Sequence, residues 1–245
     1  MTDTKKTVLI TGATRGLGLA FATHYSKAGW SVIGTARANS NTDQLAALSP
    51  FKIVAMDTGD EASVIEAAQQ LDGVAIDLLI NNAGIAEGGG FESSTKESMM
   101  RQFEVNAIGP FLVTRALLPN LQLAAKTHGS ASVVQLSSIV GSIASNTKDA
   151  EAYFGVVYGY STSKAALNMI TRSLAVKLRS SDIVVVSLHP GYVATDMSKG
   201  SPLKATLQPS DSVAAMTERI AKLSLEDTGK FFNLDERIPG TELPW

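Results

Sequence analysis

The sequence contains no cysteine among its 245 residues, which excludes thiol catalysis, disulfide bonds and cysteine-ligated metal sites. Its three histidines, His24, His128 and His189, are far apart and lack the spacing of metal ligands, so they predict no metal site and no catalytic role. The formal net charge is only −2, which argues against nucleic acid or an anionic membrane surface as a partner.

Long apolar runs are absent as well. No run approaches membrane-spanning length, and the first twelve residues lack the pattern of a signal peptide, so we expect an intracellular, cytoplasmic protein. No linker, repeat or low-complexity tract divides the chain, and its length predicts one domain over residues 1–245. A Gly-x-Ser-x-Gly elbow is also missing, which argues against a serine hydrolase.

Short apolar segments alternate with helical patterns along the whole chain. The segments predicted to be strands are residues 7–11, 31–36, 51–56, 77–82, 132–137, 183–188 and 230–234. Several are apolar without alternation, as is typical of parallel strands covered on both faces. Helical patterns follow the first strand and occupy 61–71 and 101–121. We therefore expect a doubly wound parallel α/β sheet, a Rossmann fold, of about seven strands with helices on both faces.

A glycine-rich turn lies between the first strand and the first helix, in the stretch TGATRGLG. Gly12, Gly16 and Gly18 would permit a tight turn and a close backbone approach to a pyrophosphate at the helix N-terminus. Their spacing is Gly-x-x-x-Gly-x-Gly and differs from the usual Gly-x-Gly-x-x-Gly, and glycines also mark ordinary turns. At the first strand–helix junction of an alternating chain, the pattern favours a dinucleotide site.

The residues near the expected ribose 2′ position favour NADP(H) over NAD(H). An NAD site places a carboxylate near the end of the second strand. Here the strand ends in Ala36 and Arg37, the next acid is Asp43, and Arg15 lies inside the glycine turn. Two guanidinium groups suit a 2′-phosphate. The alternative is that both are solvated loop arginines.

Tyr160 stands four positions before Lys164 in the stretch YGYSTSK, so the two lie one helical turn apart. A nearby ammonium favours the phenolate, and we expect Lys164 to lower the pKa of Tyr160 and make an acid–base pair. Tyr-x-x-x-Lys also occurs by chance on helix surfaces. Tyr158 is a rival phenol, but Thr162 stands where its lysine would be.

Together with TGATRGLG, the stretches NNAG, LSS, YGYSTSK and HPGYVATDM occur in the order in which the short-chain dehydrogenase/reductase family has them, and the chain resembles that family over nearly its whole length. The resemblance implies catalytic residues Asn106, Ser138, Tyr160 and Lys164. Tyr160 would be the general acid/base, Lys164 its tuning partner, Ser138 a hydrogen-bond partner of the substrate oxygen, and Asn106 the support of a water-mediated proton relay.

The resemblance also implies a set of residues around NADP(H), contributed by the loops that follow the strands. These are Gly12, Thr14, Arg15, Gly16, Leu17, Gly18, Arg37, Asp57, Thr58, Asn82, Ala83, Gly84, Tyr160, Lys164, Pro190, Gly191, Val193 and Thr195.

Two segments depart from the common family pattern. Tyr160 stands twenty-two positions after Ser138, and the residues between them include an extra stretch, SNTKDAEAYFGVVYG, which is either a surface loop or an aromatic wall over the substrate cleft. The segment from 197 to 212, with Gly200, Pro202 and Pro209, is predicted to be a mobile lid. The long spacing and the Pro-Trp ending resemble the branch with sniffer-type carbonyl reductases and C-factor-like proteins.

The leading hypothesis is an NADPH-dependent reductase of small or hydrophobic aldehydes and ketones, with a homodimer or homotetramer possible. The second is a nucleotide-binding signalling protein of the C-factor type. The third keeps the enzyme class and reverses the direction to NAD(P)-linked alcohol oxidation.

Overall fold

The computed structural model describes residues 5–199 and 205–245 and contains one parallel sheet of seven strands. Each predicted strand is confirmed to within one residue at either end, and the sheet confirms the predicted fold class. The strands are β1 (Thr7–Ile10), β2 (Ser31–Ala36), β3 (Lys52–Ala55), β4 (Leu78–Asn81), β5 (Ala131–Leu136), β6 (Ile183–His189) and β7 (Phe231–Asn233).

Helices lie between successive strands along the chain and cover both faces of the sheet, as in a doubly wound fold. Their bounds are α1 (Gly16–Lys27), α2 (Asp43–Ala46), α3 (Glu61–Gln69), α4 (Lys96–Phe103), α5 (Gly109–Ala116), α6 (Leu118–His128), α7 (Glu151–Phe154), α8 (Tyr158–Leu178) and α9 (Pro209–Ile220). All seven strands of the described residues share one sheet.

Two apolar cores lie on opposite faces of the sheet. On one face Leu9 and Val133 pack with residues of α3, α5, α6 and α8. On the other, their neighbours Val8 and Val134 pack with residues of α1, α2 and α9. Because successive strand side chains point to opposite faces, a strand that is apolar without alternation supplies both cores. This explains the continuous apolar runs in the sequence.

The strand order is β3-β2-β1-β4-β5-β6-β7, so the direction of winding reverses between β1 and β4. Open α/β sheets bind ligands outside the carboxyl ends of their strands at such a switch point. The glycine-rich turn follows β1 and the NNAG stretch follows β4. The fold therefore brings two of the sequence motifs to one crevice.

The helix predicted over 101–121 is interrupted. After α4 the chain forms a π-helical segment, Glu104–Ile108, then α5, and a further break at Leu117 separates α5 from α6. Pro110 and Pro119 account for the start of α5 and α6, because proline is tolerated only in the first turn. The helical periodicity of 101–121 is recognisable in the sequence, whereas the extra residue in the π turn at Glu104–Ile108 is not.

The extra residues before Tyr160 are attached to the loop that follows β4. Gly89 pairs with Val157 in a parallel bridge, and the Gly89 amide donates to the Val156 carbonyl at 3.0 Å. Tyr158 packs beside Phe91 with ring centroids 6.2 Å apart. Phe154 is buried. The segment is thus a folded wall along one side of the carboxyl edge of the sheet.

Two sequence predictions concern the surface of the molecule. None of the helices within the described residues is long and apolar enough to cross a membrane. Of the predicted lid, Gly200 and Pro202 lie outside the described residues, and Pro209 begins α9.

Candidate functional site

Thr11 and Asn82 lock the two sides of the switch point together. The Thr11 hydroxyl accepts from the amides of Asn82 and Ala83 at 2.9 and 3.0 Å. The Asn82 side-chain amide donates to the carbonyl oxygens of Thr11 and Gly12 at 2.8 and 3.1 Å. These bonds use the backbone amide and the side-chain nitrogen of Asn82, so this residue holds the backbone on both sides of the crevice in place.

The glycine-rich turn has the geometry of a cradle. Gly12 and Gly16 have φ angles of +65° and +55°, a region that side chains disfavour. A Cβ on Gly18 would collide with the Gly12 carbonyl oxygen and lie 2.7 Å from the Asn82 side-chain nitrogen. The backbone of the turn is therefore exposed toward the crevice, with Thr14 and Leu17 partly buried beside it.

A cavity of about 460 Å³ opens between this turn and the segment after β6. Its lining includes Gly16, Thr195, Asp196, Lys199 and Pro209. A Cβ on Gly16 would lie 3.5 Å from Thr195, so the absence of a side chain keeps the opening clear. A bare backbone at a helix N-terminus beside a cavity fits a pyrophosphate, and these residues therefore suit a dinucleotide.

The predicted 2′-phosphate residues lie at the outer end of the crevice. The Arg15 side chain is exposed and its Nε lies 3.8 Å from the Asp196 carboxylate. Arg37 is exposed directly after β2, and the Met56 amide donates to the Ala36 carbonyl, which places Asp57 and Thr58 at the neighbouring strand end. Asp57 accepts from the Gly59 amide at 3.0 Å, and Thr58 is buried.

Tyr160 and Ser138 meet at the other end of the crevice. Tyr160 is half-buried in the first turn of α8, Ser138 follows β5, and the Ser138 side chain lies close enough to influence the pKa of the phenol. Burial raises the pKa of Tyr160 to about 12, and the hydrogen bond with Ser138 acts in the opposite direction. The phenol is therefore protonated at neutral pH and can donate a hydrogen bond.

Lys164 lies beneath this pair and is buried. Its Nζ donates to the Leu136 carbonyl oxygen at 2.7 Å and lies 5.6 Å from the centroid of the Tyr160 ring. Burial lowers the pKa of Lys164 to about 8. The prediction that Lys164 lowers the pKa of Tyr160 is wrong for the protein alone. The ammonium donates to the end of β5, and burial of the phenol is the larger of the two influences on the pKa of Tyr160.

Asn106 joins the loop after β4 to α8 from within the π-helical segment. Its side chain accepts from the Ile85 amide at 2.9 Å and donates to the Ile85 carbonyl at 2.8 Å and the Ser163 hydroxyl at 3.0 Å. A Cβ on Gly84 would lie 3.1 Å from the Asn106 oxygen and 3.7 Å from Lys164 Nζ. Asn106, Gly84 and Lys164 therefore share one small space.

The segment after β6 forms the far wall of the crevice. Pro190 and Gly191 follow β6, and Gly191 has a φ of +80°. Val193 forms a bridge with Leu207, while Thr195 begins a short 3₁₀ helix. Every residue of the predicted site thus lies at the carboxyl edge of the sheet, from the glycine turn to this wall.

Sequence reasoning missed two residues that hold Ser138. The Asn168 side chain accepts from the Ser137 hydroxyl at 2.7 Å and donates to the Gly141 carbonyl at 3.1 Å. His189, for which we predicted no catalytic role, accepts from the Ile139 amide at 3.3 Å. Asn168 could have been found, because it follows Lys164 by four positions and shares its helix face.

We expect the substitution Lys164→Met to stabilise the protein at pH 7. A lysine pKa lowered from 10.5 to about 8 costs about 3 kcal/mol of folding free energy, and the lost bond to Leu136 offsets about 1 kcal/mol. The unfolded chain binds the lysine proton more tightly than the folded protein does. The destabilisation by Lys164 is therefore complete below pH 8, where both states are protonated, and disappears above pH 10.5, where both are neutral. Denaturant titration should show the gain shrinking between pH 8 and 10.5.

The control for this substitution is Lys177→Met, on the exposed side of the same helix. It should change the free energy of unfolding by less than about 0.5 kcal/mol at every pH. A Lys164→Met protein that is less stable than the parent at pH 7 would contradict the argument.

The structure and the site define the class of protein, a Rossmann-type oxidoreductase. The family model described as short chain dehydrogenase matches residues 6–205. The chain belongs to the short-chain dehydrogenase/reductase family, which binds a nicotinamide cofactor.

Two curated relatives illustrate the range of similar sequences. The C-signal of Myxococcus xanthus is 42% identical over 69% of this chain and 93% of its own length. The short chain dehydrogenase gsfK of Penicillium aethiopicum is 34% identical over 98% of this chain and 99% of its own length.

Solved structures of carbonyl reductases are similar over almost the entire chain. The NADPH-bound carbonyl reductase from chicken fatty liver has a TM-score of 0.88 and 33% identity, covering 98% of this chain and 94% of that one. The carbonyl reductase Sniffer of D. melanogaster has a TM-score of 0.86 and 32% identity, covering 98% of this chain and all of that one.

Proposed function

We propose that this protein is an NADPH-dependent carbonyl reductase, which reduces an aldehyde or ketone to an alcohol with Tyr160 as the general acid. The observation that carries the proposal is the grouping of Ser138 and Tyr160 with Lys164, which is buried beneath the Tyr160 ring and bonded to the end of β5. The likeness to two carbonyl reductases, one of them with NADPH bound, supports the same reaction.

The nicotinamide supplies the hydride when bound. The carbonyl oxygen of the substrate gains negative charge as hydride arrives, and the two hydroxyls stabilise that charge by donating hydrogen bonds to it. Tyr160 then transfers its proton to the oxygen. Its pKa of about 12 keeps the phenol protonated until the oxygen has become basic enough to take the proton.

Lys164 and Asn106 support this step from below. Lys164 has a pKa of about 8, so it is charged at neutral pH and close enough to its pKa to exchange a proton with water. Asn106 holds the loop after β4 against α8 and keeps Gly84 beside the ammonium. In the proposal, these groups return a proton to Tyr160 after each turnover.

The wall beside Tyr160 favours an apolar substrate. Phe91, Tyr153, Val156 and Tyr158 are exposed on the loop after β4 and on the inserted segment that pairs with it. Exposed aromatic surface at the edge of a cleft binds apolar molecules favourably, because both surfaces are then removed from water. We therefore place hydrophobic aldehydes and ketones ahead of sugars or charged acids.

The decisive test measures oxidation of NADPH and NADH by purified protein with a panel of aldehydes, ketones and quinones. We expect turnover with NADPH, fastest with hydrophobic carbonyls. If no carbonyl is reduced while alcohols are oxidised with NADP⁺, the reaction runs in the opposite direction. Cofactor binding without turnover in either direction would refute the enzymatic proposal.

Preference for NADPH is predicted to depend on Arg37. The substitution Arg37→Ala should raise the dissociation constant of NADPH roughly 10- to 100-fold, because a charge-assisted hydrogen bond to phosphate contributes about 1.5–3 kcal/mol. The constant for NADH, which has no 2′-phosphate, should change little. Calorimetric titration with both nucleotides measures the two values.

The matched control for Arg37 is Arg179→Ala, an exposed arginine that follows α8 and pairs with Glu226. It should leave both dissociation constants unchanged. Equal weakening of NADPH and NADH by Arg37→Ala would show that Arg37 does not read the 2′-phosphate.

The C-signal relative favours one second candidate, a signalling protein in which nucleotide occupancy matters more than turnover. The presence of both Tyr160 and Lys164 argues for catalysis, because binding alone requires neither. A biological effect that survives Tyr160→Phe and is lost with Gly16→Asp, which fills the cradle, would favour signalling.

A further inference from the structure

The backbone around Ser138 is held from both sides. Before it, the Ser137 hydroxyl donates to Asn168 at 2.7 Å. After it, the Ile139 amide donates to Nδ1 of His189 at 3.3 Å. Ser138 itself has extended backbone angles of −154° and 150°, and its carbonyl accepts from Gly141 at 2.8 Å. These contacts hold the backbone position from which the Ser138 hydroxyl projects.

We infer that His189 is a positioning residue for Ser138, acting as a neutral acceptor for the Ile139 amide. The inference rests on the proposed function, in which the Ser138 hydroxyl binds the carbonyl oxygen. His189 is the last residue of β6, and β5 and β6 are paired up to Leu136 and Leu188. The imidazole thus extends the contact between these strands by one residue, where Ser138 leaves the sheet.

Only the neutral ring can accept through Nδ1, so the charges around His189 matter. Burial lowers the pKa of His189 to about 4. The Asp235 carboxylate acts in the opposite direction, and the Arg237 guanidinium assists burial. Asp235 is itself paired with Arg237 at 2.8 and 2.5 Å, which reduces its pull on the imidazole. The ring therefore keeps its acceptor at neutral pH.

A rival explanation is that His189 merely fills space, since it is 5% exposed. The two explanations differ in what a substitution must preserve. A space-filling role requires volume and apolar contact, whereas a positioning role requires an acceptor at the Nδ1 position. Asparagine offers an amide oxygen near that position, while leucine fills similar volume without an acceptor.

The experiment compares His189→Leu with His189→Asn in the full chain. For leucine we expect hydrogen exchange of the Ile139 amide to rise roughly tenfold, because one hydrogen bond is lost. We also expect kcat to fall roughly 10- to 100-fold, because a misplaced catalytic group costs that much. The dissociation constant of NADPH should stay unchanged. Asparagine should keep both exchange and kcat within a few-fold of the parent.

Equal effects of leucine and asparagine on exchange and kcat would overturn the inference. So would a leucine variant with faster exchange and normal kcat. If wild-type protein reduces no carbonyl, the proposed function fails separately. The exchange measurement then still decides whether His189 holds Ile139, because it needs neither substrate nor cofactor.

A variant on the other partner covers the case in which His189→Leu does not fold. Ile139→Pro removes the donated N–H at the first residue of the short 3₁₀ helix Ile139–Gly141, where proline is tolerated. The extended backbone of Ser138 suits a residue before proline. We expect the same fall in kcat with NADPH binding retained, and a normal kcat would overturn the inference.

Discussion

Tyr160→Phe is expected to reduce kcat roughly 10²- to 10⁴-fold, the range for loss of a general acid. The substitution removes a single oxygen, the partner of Ser138 and the source of the proton. Tyr160 lies at the end of the crevice away from the glycine turn, which is intact in the variant. NADPH should therefore bind with nearly its normal affinity, and steady-state kinetics together with equilibrium titration measure both quantities.

Tyr158→Phe is the matched control for this experiment. Tyr158 begins the same helix, is half-exposed and packs against Phe91 through its ring, which phenylalanine preserves. Its kcat should stay within a few-fold of the parent. Turnover by Tyr160→Phe at more than a tenth of the normal rate would show that another group supplies the proton.

Gly18→Ala is expected to abolish nucleotide binding and to destabilise the fold. The new Cβ would overlap the Gly12 carbonyl oxygen and lie 2.7 Å from the Asn82 nitrogen, so α1 must move away from β1. Overpacking of this kind costs about 1–3 kcal/mol or more, and it separates the turn from the crevice. We expect the affinity for NADPH to fall at least about 100-fold. When the backbone of the turn moves, all the hydrogen bonds that it offers to the nucleotide are lost at the same time.

Gly88→Ala separates this effect from the general cost of replacing glycine. Gly88 has open space around its position and lacks a positive φ. Nucleotide affinity and melting temperature should both stay close to those of the parent. Normal NADPH affinity in Gly18→Ala would mean that the turn tolerates a side chain and is not the cradle described above.

Much of the fold could be predicted because local and global signals agree. Continuous apolar strands such as β6 require cover on both faces, and the helices between them supply it. The strand order could not be obtained from the residues, since it depends on which strand pairs with β1 across the sheet. The switch point between β1 and β4 therefore became visible only in the structure.

The sequence allowed us to predict which residues form the candidate site better than which contacts they make. The motifs placed Tyr160, Lys164 and Ser138 together, and the structure does bring them together. The pKa of Tyr160 was misjudged because desolvation depends on burial, which spacing on a helix does not reveal. His189 was passed over for a similar reason, since its partner Ile139 is fifty residues away in the sequence.

The π-helical segment around Asn106 restricts how this chain can change over time. A π turn contains one more residue than the α turn it replaces, so deleting one residue of Glu104–Ile108 other than Asn106 would restore regular winding. The flanking helix would then rotate by about 100°, the angle of one residue, and Asn106 would face away from Ile85 and Ser163. Descendants that keep Asn106 in its contacts can thus substitute the exposed residues Glu104 and Ile108 but cannot shorten the turn. The length of this segment is therefore constrained separately from the residue types that occupy it.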